Sequence, residues 1–185
     1  MESLIETDNR KIFLDMDGVL ADFNGGVRKL CGIEPIKQPA TPEEDARLWK
    51  AVRKVPHFYD KLEPLPGSVE MFRKIREAFG DRCSILTGIP RPDKRVRFAR
   101  KDKIAWVRRI LSDDVAVHVV YRVDKPKYCS GKECILIDDF SKNLREWEAA
   151  GGTGLLFTGP EAVLAYFGLE EGTPDDPSAA SPTES

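Results

Sequence analysis

The chain has 185 residues, of which 41% are hydrophobic and 32% charged, and its net charge is −2. This length predicts about one domain with room for a small insertion. No apolar run approaches the ~18 residues that a membrane span requires, and the amino terminus lacks the basic flank and apolar core of a secretion signal. We therefore expect a cytoplasmic protein that does not contact a membrane.

Five short apolar segments predict the strands of one sheet, because each is apolar on both faces, as parallel strands covered by helices are. They are residues 12–14, 85–86, 115–121, 135–137 and 155–157. Helical periodicity follows Ser68 and Asp102, which are the predicted N-caps, and a third helix is expected around Trp147. The alternation predicts an α/β fold, a Rossmann-like parallel sheet with helices on both faces.

One segment, residues 24–66, interrupts this alternation, since it is rich in proline and helical patches but has no convincing strand. We interpret it as a small helical cap inserted after the first strand. Residues 1–23 and 67–170 then form the core domain. Residues 171–185 are rich in proline, serine and aspartate and predict a disordered tail.

The cysteine and histidine residues do not predict a zinc site or a disulfide framework. No pair of the four cysteines has Cys-x-x-Cys spacing, and there are only two histidines. We expect the thiols to be reduced and mostly buried.

Polar groups suited to phosphate or metal follow four of the five apolar segments. In an open parallel sheet, ligands bind outside the carboxyl ends of the strands, so these groups should lie close together. They are Asp15, Asp17 and Gly18 after the first strand, Thr87 and Gly88 after the second, Asp124 and Lys125 after the third, and Asp138 and Asp139 after the fourth.

The four carboxylates of this set, on Asp15, Asp17, Asp138 and Asp139, would repel one another unless a cation lay among them. Mg²⁺ fits better than zinc, because Mg²⁺ prefers oxygen ligands and binds through carboxylates, water and substrate phosphate. With the metal present, Asp15 is the expected nucleophile toward a phosphoryl group and Asp17 the expected general acid and base. The sequence therefore predicts a magnesium-dependent phosphatase.

The remaining groups are expected to bind the phosphoryl oxygens. Gly18 permits close approach of the backbone, Thr87 and Gly88 offer a hydroxyl and an amide, and Lys125 offers a positive charge. Two other lysines are alternatives for the catalytic position. Lys103 opens a predicted helix and is expected to be a solvated surface charge, whereas Lys127 differs from Lys125 only by register.

The segments DMDGVLADF, ILTG and LIDD, with the lysine that precedes LIDD, resemble the four motifs of the haloacid-dehalogenase superfamily. Within it the chain is most similar to the 5′(3′)-deoxyribonucleotidases, through residues 19–23, 58–67 and 125–128. The resemblance implies that Asp15, Asp17 and Asp138 coordinate Mg²⁺, with Asp139 acting through water. It implies a nucleoside monophosphate as the substrate.

In those nucleotidases aromatic cap residues form a slot for the base, and the matching positions are Phe23, Phe58 and Tyr59. The chain departs from the family pattern in three places: Gly88 replaces a hydroxyl residue, Val123 replaces an arginine, and Phe58-Tyr59 differs from an aromatic pair that contains tryptophan. These departures leave the substrate open, so a sugar phosphate or another small phosphoester is an alternative. A phosphate-binding module without turnover is a second alternative, which intact Asp15 and Asp17 disfavour.

Several features have simpler interpretations. The basic stretch 91–103 is expected to be a solvated loop and helix face, so no nucleic acid polymer is expected as a partner. His57, Trp49 and Trp106 are expected to be packing or surface residues. The sequence leaves the oligomeric state open, with a homodimer as one alternative.

Overall fold

The computed structural model describes residues 8–170 and contains one parallel sheet of five strands. The strands lie in the order β3-β2-β1-β4-β5. Every neighbouring pair is parallel. Their bounds are β1 Lys11–Leu14, β2 Cys83–Ile89, β3 Ala116–Tyr121, β4 Cys134–Asp138 and β5 Thr153–Leu156.

Six α-helices accompany the sheet in the described residues. They are α1 Phe23–Gly26, α2 Pro42–Val52, α3 Ser68–Phe79, α4 Ala99–Ile110, α5 Ser141–Ala149 and α6 Pro160–Phe167. Other helical turns cover Val27–Cys31, Tyr59–Lys61, Gly80–Arg82, Pro92–Lys94 and Arg122–Tyr128. None of the described helices is long and apolar enough to cross a membrane.

The two faces of the sheet bury separate apolar clusters, because successive side chains of a strand point to opposite faces. Ile12 and Leu14 belong to the larger cluster, with residues of α3, α4 and α6 such as Trp106. Phe13 belongs to the smaller cluster, where it packs edge to face against Trp147 of α5. The predicted α/β fold with helices on both faces of a parallel sheet is therefore confirmed.

Residues 24–66 contain helices and turns, joined to the end of the first motif by a single antiparallel bridge between Ala21 and Pro64. Helix α2 begins with a capping box, in which Thr41 and Glu44 each accept a hydrogen bond from the other's backbone amide. These observations agree with a helical cap, and the division into cap and core stays a prediction. The predicted tail, residues 171–185, lies outside the described residues.

Both predicted N-caps are wrong. Helix α3 begins at Ser68 after Gly67, and the Ser68 hydroxyl donates to the carbonyls of Leu20 and Leu65 rather than capping the helix. Helix α4 begins three residues before Asp102. Asp102 is buried in its first turn, where the carboxylate binds His57 Nδ1 at 2.8 Å. In both residues the side-chain oxygen binds a group outside the helix and does not cap the helix.

Candidate active site

The polar groups that follow β1, β3 and β4 meet at the carboxyl edge of the sheet. Lys125 lies in the helical turn after β3, with Nζ 2.9 Å from Asp15 Oδ1 and 2.7 Å from Asp138 Oδ2. The three side chains are less than a tenth exposed. Burial alone would lower the pKa of Lys125, but the two carboxylates outweigh it and raise that pKa. Lys125 is therefore held as an ammonium between two carboxylates.

Three carboxylates can place one oxygen each within 4.8 Å of the others, on Asp15, Asp138 and Asp139. Desolvation, followed by the neighbouring carboxylate charges, raises the pKa of Asp138 and raises that of Asp139 to about 7. One lysine does not balance three carboxylates, so this group favours a bound cation. Its donors are all oxygens, which fits Mg²⁺.

Gly18 allows the segment that follows β1 to lie close to Asp139, which follows β4. Its φ of 77° lies in the left-handed region, and a Cβ at this position would overlap the carboxylate of Asp139. The Gly18 amide donates to Ala21 O at 2.9 Å. Gly18 thus suits a left-handed turn that lies against Asp139, and its own amide donates inside the loop. That backbone amides of this loop bind phosphoryl oxygens stays a prediction.

A second buried lysine, Lys103, contacts both the segment that follows β1 and strand β2. Lys103 Nζ lies 2.6 Å from Asp17 Oδ2 and 2.9 Å from Thr87 Oγ1. Burial raises the pKa of Asp17, whereas the charge of Lys103 opposes that rise. The Asp17 carboxylate is thus turned toward Lys103 and outside the group formed by Asp15 and the two β4 carboxylates, although the sequence placed all four at the metal.

The prediction that Lys103 is a solvated surface charge is wrong. Its side chain is fully buried, and Nζ lies 4.4 Å from the centre of the Tyr59 ring. The reason is helical spacing, because residues 103, 106 and 107 share the face of α4 that packs on the core. That spacing was the signal by which the sequence could have placed Lys103 inside. Lys127, by contrast, is three-quarters exposed and pairs with Asp124.

Asn143 is a site residue that the sequence analysis missed. It is buried on α5, and its Nδ2 donates to Asp138 Oδ2 at 2.9 Å. The amide of Phe140 donates to the other oxygen, Asp138 Oδ1, at the same distance. Asp138 is therefore held on both oxygens before any ligand binds. The only signal in the sequence is an asparagine that follows the aspartate pair by about one helical turn.

The predicted aromatic slot is not open in this structure. Phe58 and Tyr59 are each 1% exposed, and Phe23 is half-buried against both rings. Phe58 packs edge to face on Phe23 and on Tyr59, so the rings stabilise one another inside the core. A base cannot reach the faces of Phe58 and Tyr59 in this arrangement.

An accessible cavity of about 490 Å³ lies instead between α2 and the segments that follow β2 and β3. Trp49 of α2 lines one wall, and its Nε1 donates to Asp45 Oδ1 at 2.8 Å. Asp45 also pairs with Lys94 of the 92–94 turn, which joins α2 to the core. The other lining residues are Ile89, Pro90, Arg91, Pro92, Tyr121, Arg122 and Val123.

The chain is similar over most of its length to proteins named 5′(3′)-deoxyribonucleotidases. It is 32% identical over 147 residues to the human mitochondrial 5′(3′)-deoxyribonucleotidase, an alignment that covers 70% of this chain and 61% of the relative. It is 25% identical over 165 residues to the human cytosolic type, covering 80% and 79%. A putative 5′(3′)-deoxyribonucleotidase of Bordetella pertussis is 31% identical over 129 residues, covering 62% and 67%. The chain thus spans less than two thirds of the mitochondrial relative's length.

Solved structures share the fold. A haloacid dehalogenase-like hydrolase from Streptococcus pneumoniae superposes with a TM-score of 0.55 at 13% identity, covering 87% of this chain and 99% of that one. A dehalogenase superposes with a TM-score of 0.52 at 13% identity, covering 80% and 84%. A family model matches residues 9–164, which include every site residue described above. The chain belongs to the family of that model, the 5′ nucleotidase, deoxy (pyrimidine), cytosolic type C proteins.

Proposed function

We propose that this protein is a Mg²⁺-dependent phosphomonoesterase that acts through an aspartyl-phosphate on Asp15 and dephosphorylates deoxynucleoside or nucleoside monophosphates. The observation that carries the proposal is the group formed by Asp15, Asp138 and Asp139 around Lys125, at the carboxyl edge of the sheet. The similar proteins are named 5′(3′)-deoxyribonucleotidases, which supports a nucleotide as the substrate.

Asp15, Asp138 and Asp139 would hold the metal, because their oxygens already converge and their charges exceed that of Lys125. Bound there, Mg²⁺ would screen the negative charge of the phosphate from that of the nucleophile. Asn143 and the Phe140 amide keep Asp138 oriented for this role.

In the first step an oxygen of the Asp15 carboxylate attacks phosphorus, and the bond from phosphorus to the leaving-group oxygen breaks. Lys125 keeps Asp15 in place and offsets charge on the phosphoryl oxygens. The leaving oxygen takes its proton from Asp17. In the second step water attacks the aspartyl-phosphate, Asp17 removes the water proton, and phosphate and free Asp15 result.

Lys103 fixes the direction of the Asp17 carboxylate, since it binds Asp17 Oδ2 and Thr87 Oγ1 together. This contact leaves Asp17 Oδ1, which has no hydrogen-bond partner among the described residues, as the oxygen available for proton transfer. The leaving group would occupy the cavity beside Trp49, where an indole face and apolar side chains can contact a base.

The test is phosphate release from nucleoside 5′- and 3′-monophosphates and from sugar phosphates, with Mg²⁺ and with a chelator. We expect turnover of nucleotides with Mg²⁺ only, and loss on the order of 10³-fold or more in Asp15→Asn. Asp81→Asn removes an exposed carboxylate after α3 and is the matched control. Sugar phosphates ranking above all nucleotides would contradict the substrate, and equal rates in wild type and Asp15→Asn would contradict the mechanism.

The cytoplasmic location and the homodimer stay predictions of the sequence. Size-exclusion chromatography with light scattering measures the oligomeric state directly.

A further inference from the structure

A basic groove of about 480 Å³ lies next to the cavity that contains Trp49. The groove and the cavity share residues 89–92 and Tyr121 as a common wall. Among the described residues no acidic side chain lines the groove. Its cations are Arg91, Arg95, Arg97, Arg100 and Lys101.

The positive charge of this groove is not neutralised by neighbouring acids. Within residues 8–170, four of its five cations form no ion pair or side-chain hydrogen bond, and Arg100 donates to a backbone carbonyl, that of Val119. Apart from Arg91, which lines both, the cations of the adjacent cavity differ, since Lys94 pairs with Asp45 and Arg122 with Glu146. An anion entering the groove would therefore meet free positive charges.

Each of the three segments that line the groove leads along the chain to a proposed site residue. Arg91 is four residues after Thr87, and Tyr121 is four residues before Lys125. Four residues span at most about 14 Å. Lys101 is two residues before Lys103 on α4. A ligand of nucleotide size can thus reach from the site into the groove.

Aromatic rings stand among the cations. Phe98 is 50% exposed and Tyr121 is 37% exposed, although large apolar side chains are usually buried. Phe98 has a φ of 66°, which is unfavourable for a bulky residue, and its ring stacks on His57 with centroids 4.7 Å apart. Exposed rings between arginines are typical of sites that bind phosphate-bearing nucleotide chains.

We propose that the groove binds a second phosphate carried by the leaving group of the substrate, so that the enzyme favours substrates with two phosphates over nucleoside monophosphates. This inference rests on the proposed function. The second phosphate has two possible sources, a nucleoside 3′,5′-bisphosphate or the phosphodiester of a short single strand with a terminal phosphate. In both, the bond that breaks is still that of a terminal phosphomonoester.

The test compares four substrates at low ionic strength with Mg²⁺: thymidine 5′-monophosphate, thymidine 3′-monophosphate, thymidine 3′,5′-bisphosphate and 5′-phosphorylated thymidine dinucleotide. The variant is Arg95→Gln/Arg97→Gln, which removes two exposed charges from the groove. The matched control is Lys11→Gln/Lys132→Gln, which removes two exposed charges at the opposite edge of the sheet. Circular dichroism verifies that each variant is folded.

We expect kcat/KM to be about tenfold higher for at least one doubly phosphorylated substrate than for the monophosphates. The groove variant should lose that advantage through KM, with kcat and the monophosphates changed less than about twofold, and the control should retain it. Salt should reduce the advantage. A gain for the bisphosphate alone identifies a free second phosphate, and a gain for the dinucleotide alone identifies a phosphodiester.

Three results would overturn the inference. Turnover of monophosphates with no preference for a second phosphate removes the inference and leaves the proposed function standing. An equal loss in the groove variant and in the control shows that only net charge matters. No turnover of any phosphoester removes the proposed function and this inference together.

Discussion

Burial decides which lysine can act in the site. Lys125 and Lys127 are two residues apart, yet Lys125 is 3% exposed between two carboxylates, whereas Lys127 is 76% exposed and pairs with its neighbour Asp124. An exposed pair of this kind is screened by solvent and contributes little to stability. Only the buried lysine can influence the charge at the nucleophile.

We therefore expect Lys125→Met to reduce kcat by about 10² to 10⁴-fold, because the ammonium that contacts both Asp15 and Asp138 and offsets charge on the phosphoryl oxygens is lost. Steady-state phosphate release measures the change. Lys127→Met is the control and should stay within about twofold of wild type. A larger effect at Lys127 than at Lys125 would reverse the assignment.

Lys103 is expected to position Asp17, since its Nζ contacts both Asp17 and Thr87. Lys103→Met should lower kcat by about 10²-fold with a smaller change in KM, because the proton donor loses its orientation. Lys103→Arg retains the charge and should recover part of the activity. Lys101→Met, on the exposed face of α4, is the control with a monophosphate substrate. A rise in KM without a fall in kcat would contradict the role of Lys103 in positioning Asp17.

At the scale of elements, helix α4 is attached to the segment 57–62 through three contacts. Asp102 binds His57, the Lys103 ammonium lies over the Tyr59 ring, and Trp106 Nε1 donates to Leu62 O at 2.7 Å. Asp102 and Lys103 lie in one turn of α4, and Trp106 lies in the next. The segment that precedes α3 therefore holds the helix that carries Lys103.

Trp106→Phe tests this attachment, because phenylalanine fits the site but leaves Leu62 O without its donor. We expect a loss of about 2 kcal/mol in the free energy of unfolding, from the unpaired carbonyl and the smaller ring. Urea denaturation followed by circular dichroism measures it. Trp49→Phe, at a half-buried position, should cost less than half as much. Trp49→Phe also removes a hydrogen bond, the one to Asp45, so equal losses in both variants would mean that the buried bond of Trp106 stabilises the protein no more than this half-buried one.

At the scale of the whole molecule, the acidic group opposes folding unless a cation is present. Asp15 and the adjacent pair Asp138 and Asp139 lie on two segments that are far apart in the unfolded chain and meet only in the folded protein. Their mutual repulsion therefore exists mainly in the folded state, and a metal that binds only there stabilises the fold.

Mg²⁺ should raise Tm by about 5 to 10 °C at a concentration near 100 times its Kd, measured against NaCl of equal ionic strength. Asp139→Asn should have a higher Tm than wild type without Mg²⁺, because one negative charge is gone, and a smaller increase with it. Scanning calorimetry provides both values. An increase of the same size in wild type and Asp139→Asn would show that Asp139 does not bind the metal.

The sequence by itself determined the fold class and the edge of the sheet at which the polar groups meet. Apolar strands that alternate with helices indicate a covered parallel sheet, and the carboxyl ends of its strands share one edge. Asp15, Lys125, Asp138 and Asp139 follow strands in the chain, so their meeting required no knowledge of helix packing.

Only the tertiary structure decided the position of side chains on helices and in the inserted segment. Lys103 is buried because one particular face of α4 meets the core, and Asp102 is buried because His57 lies beside it. Phe58 and Tyr59 close on each other while Trp49 lines the open cavity. These outcomes depend on which elements pack together across long sequence separations, and local periodicity does not specify that choice.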